Sequence, residues 1–565
     1  MDSKLTKVSW IERRWVLAFA IILMVITTLP YILGYARAGG DWEFTGFVFG
    51  VEDGNSYIAK MLSGASGNWL FFSPYTAYPQ HGVIAFLQYI LLGKLSSAPG
   101  QHEQLVVLFH LFRIFAGILA ITATYDFLAI FLAKVKSRRL GVLLVCLGGG
   151  FGWFLVLIGQ ENLLGSLPLE FYSPESFGFL AIFGLPHLLL ARAFLLWGFR
   201  FYLVGDDLRS EIRFDDKGRW FRKLLSSGVY TGIMFLAVGL AQPLTVVIGW
   251  VLLLAHSGGL FFWTLPKKNI YELEKYYKFR SYFKRVLLAI GVSSPIVIYT
   301  ALTFSTDPFL VEWTAQNIIL SPHPIQYLLA YGLLLPFAFG GAYFVLLDDP
   351  WRGWFPVVWV LLIPVLAYVP YNLQRRLPEG VWVAIVVLAV KAVEGPVQDG
   401  LTGCWSRLNL FYQRLAPVFV FLVFSSLILF AGGLRAAFTV QEPLFRTAAE
   451  VDALNFLNSH TQPGEIVLSA YESGNVIPSW APVRVVVGHG PESVKLSKFI
   501  PIVSNFYDVK TSRLERLGII AKLNIKYIYW GPKERGLGDW KPEKGDGLLE
   551  IFNNGRYLLF EVQER

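Results

Sequence analysis

The chain has 565 residues, 55% of them hydrophobic and 16% charged; a soluble protein carries about a quarter charged residues, so most of this one is built for lipid. Lys and Arg outnumber Asp and Glu by 49 to 40, a net charge of +9 that is shared between two sides of a bilayer and gives no reason to expect nucleic acid as a partner. Cys146 and Cys404 are too few for a disulfide framework or a Cys-rich metal site, and disorder, collagen-like repeats and a compact cytosolic enzyme are excluded with them.

In chain order, Lys4, Lys7, Arg13 and Arg14 precede an apolar run from about Trp15 to Tyr35, too long for a signal-peptide core and read as a first transmembrane helix. The run Leu105 to Ala133 ends in Lys134, Lys136, Arg138 and Arg139, which the positive-inside rule places in the cytoplasm. Residues 37–104 then form an exterior loop, in which Gly82 to Leu95 is too short to span and reads as interfacial or re-entrant. Further spans are expected over Leu140–Ile158, Phe179–Leu203, Leu225–Ala241, Leu244–Trp263, Val286–Phe304, Ile325–Leu347, Trp354–Tyr368, Val381–Val393 and Leu415–Leu434. The total of about eleven puts the N-terminus in the cytoplasm and the C-terminus outside a plasma membrane. Loop charge agrees: Lys267 to Arg285 is strongly basic, whereas 159–178 and 305–324 hold Glu161, Glu170, Glu175, Asp307 and Glu312 without Lys or Arg.

From about Gln441 the pattern changes to a polar helix over Thr447–Asn458 and short apolar strands at Ile466–Ser469, Val485–Val487, Tyr527–Trp530 and Tyr557–Val562. Gln462-Pro463-Gly464 and Asn553-Asn554-Gly555 are turns between them. The fold class is therefore mostly α, polytopic, with a transmembrane domain over 1–437 and a small exterior α/β domain over 438–565.

The first loop carries the chemistry. Glu52 and Asp53 stand just before Ile58, Met61 and Leu62, whose spacing predicts a short amphipathic helix, and its N-terminus favours an anion. Such a pair suits a base that meets both a soluble acceptor and a membrane-borne donor; it also suits a helix cap. The run Asp53, Tyr57, Met61, Gly67 to Trp69, Pro74 and Tyr78-Pro79, followed by Val83 to Gly93 and Arg113, resembles the GT-C superfamily of multi-spanning glycosyltransferases, which includes protein O-mannosyltransferases and lipid A aminoarabinose transferases. In that family the loop reads Asp-Glu-x-x-Tyr, then Gly-x-Trp, then a Pro-rich stretch with a short interfacial helix. Aligned on Tyr57, Asp53 takes the place of the catalytic Asp, Gly54 stands where the family has Glu, and Glu52 precedes the pair. The resemblance covers about residues 10–140 by motif and the rest by topology.

It implies transfer of a sugar from a polyprenyl-phosphate donor to an unknown glycan, lipid or protein acceptor, with Asp53 as base, Glu52 as auxiliary carboxylate, and Tyr57, Trp69 and Tyr78 around the donor and acceptor. His187, read from its own place in an apolar run near the exterior, suits either the lining of the donor cavity or an interhelical hydrogen bond. Such chemistry also needs a cation for the departing phosphate. The loop 370–380 offers Arg375 or Arg376, whose guanidinium forks match phosphate oxygens, with headgroup binding or a salt bridge to Glu379 as the plainer alternative. The loop lacks Asp-x-Asp, so a metal-independent reaction is expected; Glu161, Glu170, Glu175 and His323 are the residues that could add ligands to a divalent cation.

Arg113, Asp126, His187, Arg192 and Lys391 fall in apolar runs, where a charge at a helix centre costs roughly 2.5–3.5 kcal/mol on insertion scales. Lys391 is expected to snorkel to the inner surface, and Arg113 to pair with a carboxylate or meet phosphate. Gly488-His489-Gly490 and Tyr471 to Asn475 read as loop residues after strands, able to touch an acceptor, although a lone His in a Gly turn is more often structural. The rival class is a transporter or lipid-binding scaffold, which calls for inverted repeats with matched helix breaks that this sequence does not display. A catalytically dead relative presenting the C-terminal domain is the third reading.

Overall fold

The computed structural model of the protein describes residues 7–205, 227–264, 270–396, 404–543 and 546–563. Lys4, the beginning of the run expected from Leu225, Lys267 and Lys268, and the side chain of Cys404 lie outside the described residues.

Seven described helices are long and apolar enough to cross a membrane: Trp10–Arg37, Gln101–Leu128, Pro186–Val204, Pro243–Trp263, Lys275–Thr306, Pro350–Tyr368 and Ser406–Phe438. Pro324–Tyr331 and Leu335–Asp348 form an eighth crossing if taken together across their 69° bend. The other three expected runs are shorter helices. Leu140–Ile158 is divided into Val135–Leu147 and Gly152–Leu157: the break frees the amides of Gly150 and Gly152 to donate to Glu170 Oε1 (3.0 and 2.6 Å), while Gly149 N–H donates to the Leu422 carbonyl (2.8 Å). Ser227–Ala241 has 15 residues and Val381–Glu394 has 14. The molecule is a mostly helical, polytopic membrane protein with a small sheet region.

Two compact units divide the chain. The first comprises Met1–Thr28, Phe112–Thr300 and Ile319–Ala431. Its described interior charges are met by opposite charges or by hydrogen bonds, since a buried charge left without either is costly. Arg113 is held by the hydroxyls of Thr27 (3.1 Å) and Thr28 (2.6 Å) and by the Ile182 carbonyl (3.2 Å). Asp126 meets Arg13 (2.6 Å) and Trp197 Nε1 (3.1 Å), and Arg192 meets Glu379 (2.8 Å). Lys391 does not snorkel. It is fully buried against Asp348 (2.5 Å) because the helices Val381–Glu394 and Leu335–Asp348 pack so closely that a Cβ on Gly341 would sit 1.7 Å from the Leu388 carbonyl.

The second unit comprises Leu29–Leu111, Ala301–Ile318 and Gly432–Arg565, so the first loop folds with the C-terminal segment. The strands β1 (Trp42–Phe44) and β2 (Phe445–Thr447) pair antiparallel, with Trp42 opposite Thr447. Then β3 (Ile466–Leu468), β4 (Arg484–Val485), β5 (Ile525–Trp530), β6 (Leu548–Asn553) and β7 (Leu558–Val562) form one sheet in the order β4-β3-β5-β7-β6. The first three are parallel, and β7 runs antiparallel to β5 and β6. Four of these strands were expected; β6 was not, and the Asn553-Asn554-Gly555 turn joins it to β7. One face of the sheet buries Val451, Leu454 and Leu457 of the helix Ala448–His460 together with Ile477; the other buries Val503, Phe506 and Ile520.

In open α/β sheets the carboxyl ends of parallel strands are where ligands and functional side chains collect. Here the segments after β3 and β4 carry Tyr471 and His489, and the first-loop helix Val51–Ala65 packs against the helix Tyr471–Trp480 that follows β3.

Candidate functional site

The helix Val51–Ala65 forms where the apolar spacing predicts it. Ile58, Met61 and Leu62 are buried, and Glu52 and Asp53 lie in its first turn. Its packing is set by two close approaches. A Cβ on Gly93 would sit 1.7 Å from the Met61 carbonyl, so the short helix Leu87–Gly93 lies flush against it. A Cβ on Gly54 would sit 2.6 Å from the Phe47 ring.

The second contact explains the departure from the Asp-Glu pattern: with Phe47 in place, position 54 has no room for a side chain. Gly54→Glu is therefore expected to destabilise this unit by about 1–3 kcal/mol through overpacking. Melting of the purified protein checks it, and adding Phe47→Ala should recover part of the loss.

The two carboxylates have different surroundings. Glu52 Oε1 accepts a short hydrogen bond from the Tyr471 hydroxyl and another from the Gly490 amide (3.2 Å), while its backbone carbonyl accepts from Asn475 Nδ2 (3.2 Å). Burial and the bond to Glu52 together push the Tyr471 hydroxyl well above its ordinary value. Asp53 keeps 61% of its side chain exposed, and its Oδ1 lies 3.3 Å from Nε2 of His489, a side chain only 9% exposed. His489 Nδ1 in turn faces Glu492 Oε1 at 3.8 Å.

Behind this pair is a buried ion pair. Lys60 Nζ meets Glu492 Oε1 at 2.6 Å with side chains 1% and 4% exposed, and it lies over the Phe86 ring at 4.5 Å. Ser56 donates to the same carboxylate (2.8 Å) and receives a short bond from Lys60. Burial alone would raise the Glu492 carboxyl, but the charges of Lys60 and His489 and the hydrogen bonds from Lys60 and Ser56 outweigh it, holding the group below its ordinary value. Asn55 Nδ2 donates to Asn475 Oδ1 (2.7 Å), and Tyr75 donates to the Asn475 carbonyl (3.2 Å).

The remaining expected residues are distributed as follows. Tyr57 stacks on Tyr89 (4.9 Å) and Phe109 (5.9 Å); Trp69 is exposed with Lys94 Nζ 4.1 Å from its ring centre; Tyr78 accepts from Arg484 through its carbonyl (2.6 Å) and lies beneath Lys495 (4.9 Å). In the first unit, His187 lies in the first turn of the helix Pro186–Val204, Arg375 lies over Tyr172 (4.4 Å), and Arg376 Nε is 3.3 Å from Glu175. Glu379 is taken by Arg192 instead of by either of these arginines. Among the described residues no three His, Cys, Asp or Glu side chains are grouped as a metal site: Glu170 binds the Gly150 and Gly152 amides, Glu175 binds Arg376, and His323 caps the helix Pro324–Tyr331.

Sequence reasoning missed Lys60 and Glu492, and read His489 as a loop residue able to touch an acceptor but more often structural. The available signal was Lys60 itself, a charge on the apolar stripe of an amphipathic helix, where only a buried partner makes it tolerable.

No protein-family model matches the chain, and neither does any curated protein. Solved structures do. The oligosaccharyltransferase of Archaeoglobus fulgidus in its apo form aligns with a TM-score of 0.53 at 12% identity, over 93% of this chain and 70% of that one. The same archaeal enzyme in complex with an inhibitory peptide and a dolichol-phosphate aligns at 0.51 and 12%, over 92% and 70%. The mycobacterial arabinofuranosyltransferase AftD aligns at 0.50 and 12% over 98% of this chain, which spans 42% of AftD. These likenesses show the fold, which is of the GT-C type.

Proposed function

We propose that this protein is a GT-C-type glycosyltransferase that uses a polyprenyl-phosphate-linked sugar at the exterior face of a plasma membrane, with a cytoplasmic N-terminus and the first loop and C-terminal sheet outside. The observation that carries the reading is the division of labour in the acidic pair within a GT-C-type fold. Glu52 is tied to Tyr471 and Gly490, whereas Asp53 is exposed in the first turn of a well-packed helix. The archaeal enzyme that shares the fold was solved with a dolichol-phosphate, a lipid of the kind this reading requires.

In this reading the Asp53 carboxylate takes the proton of an acceptor hydroxyl as the acceptor oxygen bonds to the anomeric carbon. The bond from that carbon to the phosphate oxygen breaks, and the polyprenyl phosphate leaves with both electrons. Attack from one face and departure from the other invert the anomeric centre. Arg375 or Arg376 stabilises the phosphate that departs. Glu52 serves by anchoring the helix that carries Asp53.

The test is turnover of a panel of radiolabelled polyprenyl-phosphate sugars by purified protein in lipid nanodiscs, with membrane extract as the source of acceptor. Consumption of one donor with an inverted product is the expected result. Folded protein that consumes none of a broad panel overturns the reading.

A further inference from the structure

His489 is held more firmly than a turn residue needs to be. The hydroxyl of Ser493 accepts from the amides of Gly488 (2.9 Å) and His489 (3.0 Å), the Ser493 amide returns a bond to the His489 carbonyl (2.8 Å), and the Tyr75 ring packs 5.4 Å from the imidazole. The ring is thereby fixed between a buried carboxylate, Glu492, and an exposed one, Asp53. A buried histidine with a structural role normally satisfies both nitrogens. In this one Nδ1 has no hydrogen-bond partner among the described residues, and the hydrogen bond is made from Nε2 to the exposed carboxylate.

We infer that His489 is a positioning residue for Asp53. This rests on the reading of Asp53 as the base. The Nε2–H donates to Oδ1 and fixes the carboxylate rotamer in which Asp53 meets the acceptor hydroxyl. The C-terminal segment thus supplies a part of the reaction centre and is more than a platform for acceptors. Ionisable groups among the described residues that face this pair include Glu52 on the same helix, Lys60 with Glu492, and the hydroxyls of Tyr75 and Tyr471. A donor on Oδ1 favours the ionised carboxylate, so its loss must move the acid limb of the rate profile to higher pH.

Two polar variants test this. In His489→Gln the amide nitrogen reaches about as far as Nε2; in His489→Asn it stops about where Nδ1 was. Turnover of the donor identified above is measured against pH for both variants and for Asp53→Asn. The inference expects Gln to stay near wild type, and Asn to lose roughly 10-fold or more in kcat with donor KM unchanged, as a misplaced catalytic group does, and with its acid limb shifted upward. Equal rates and unshifted limbs in Gln and Asn overturn it. If instead Asp53→Asn turns over as wild type does, the base assignment fails on its own, whatever His489 shows.

Discussion

Asp53→Asn is expected to lower glycosyl transfer by roughly 10²–10⁴-fold, the usual worth of a positioned general base. The fold should barely register the change. Asn is nearly isosteric, its carbonyl oxygen still accepts from His489, and the lost charge was worth about 0.3–1 kcal/mol against the helix N-terminus. With 61% of the side chain exposed, most of the changed group faces solvent. The measurement is the single-turnover rate with saturating donor, beside a melting curve of the same preparation. Glu52→Gln is the matched control: its carboxylate is occupied by Tyr471 and Gly490, so its loss should appear mainly in stability. An Asp53→Asn enzyme with wild-type turnover would return Asp53 to the status of a helix-terminal charge.

Much of this unit was legible because its signals are local. The apolar positions Ile58, Met61 and Leu62 recur at helical spacing and are buried as that spacing requires. The strands around Val467, Val485, Ile528 and Phe560 are short apolar runs bounded by turn residues, and they form the sheet. The number of crossings was harder to read, since apolar composition does not reveal whether a helix continues. Gly148 to Gly150 lies inside an apolar run, and the helix breaks there because Glu170 and the Leu422 carbonyl offer the amides other acceptors.

The site was legible only in half. Asp53 and Glu52 are adjacent and precede a helix, whereas the groups that distinguish them, Tyr471, His489 and Glu492, lie more than 400 positions along the chain. No periodicity reports a partner at that distance. Likewise Lys391, near the end of an apolar run, looks free to reach the surface; only the packing against the Leu335–Asp348 helix places Asp348 beside it.

The contact that joins the first loop to the C-terminal segment is expected to be the most costly to damage. Glu492→Ala leaves the Lys60 ammonium buried among Phe71, Phe86 and Tyr57 with its carboxylate gone, and removing one partner of such a pair costs about 3–5 kcal/mol. Lys60→Met strands Glu492 in the same way. The double variant Lys60→Met with Glu492→Leu should be far closer to wild type than either single change, because apolar groups of similar volume replace a buried pair at little cost. The pH dependence has a definite sign. The Glu492 carboxyl lies below its ordinary 4.5 in the folded protein, so its stabilisation is complete above that value and is lost as pH falls through the lower, folded value. Melting of wild type should therefore drop, as pH falls below the ordinary 4.5, by more than that of the double variant, which has no carboxylate to protonate at this position. If the two curves fall in parallel and the double variant melts as low as the singles, the pair does not hold the loop to the sheet.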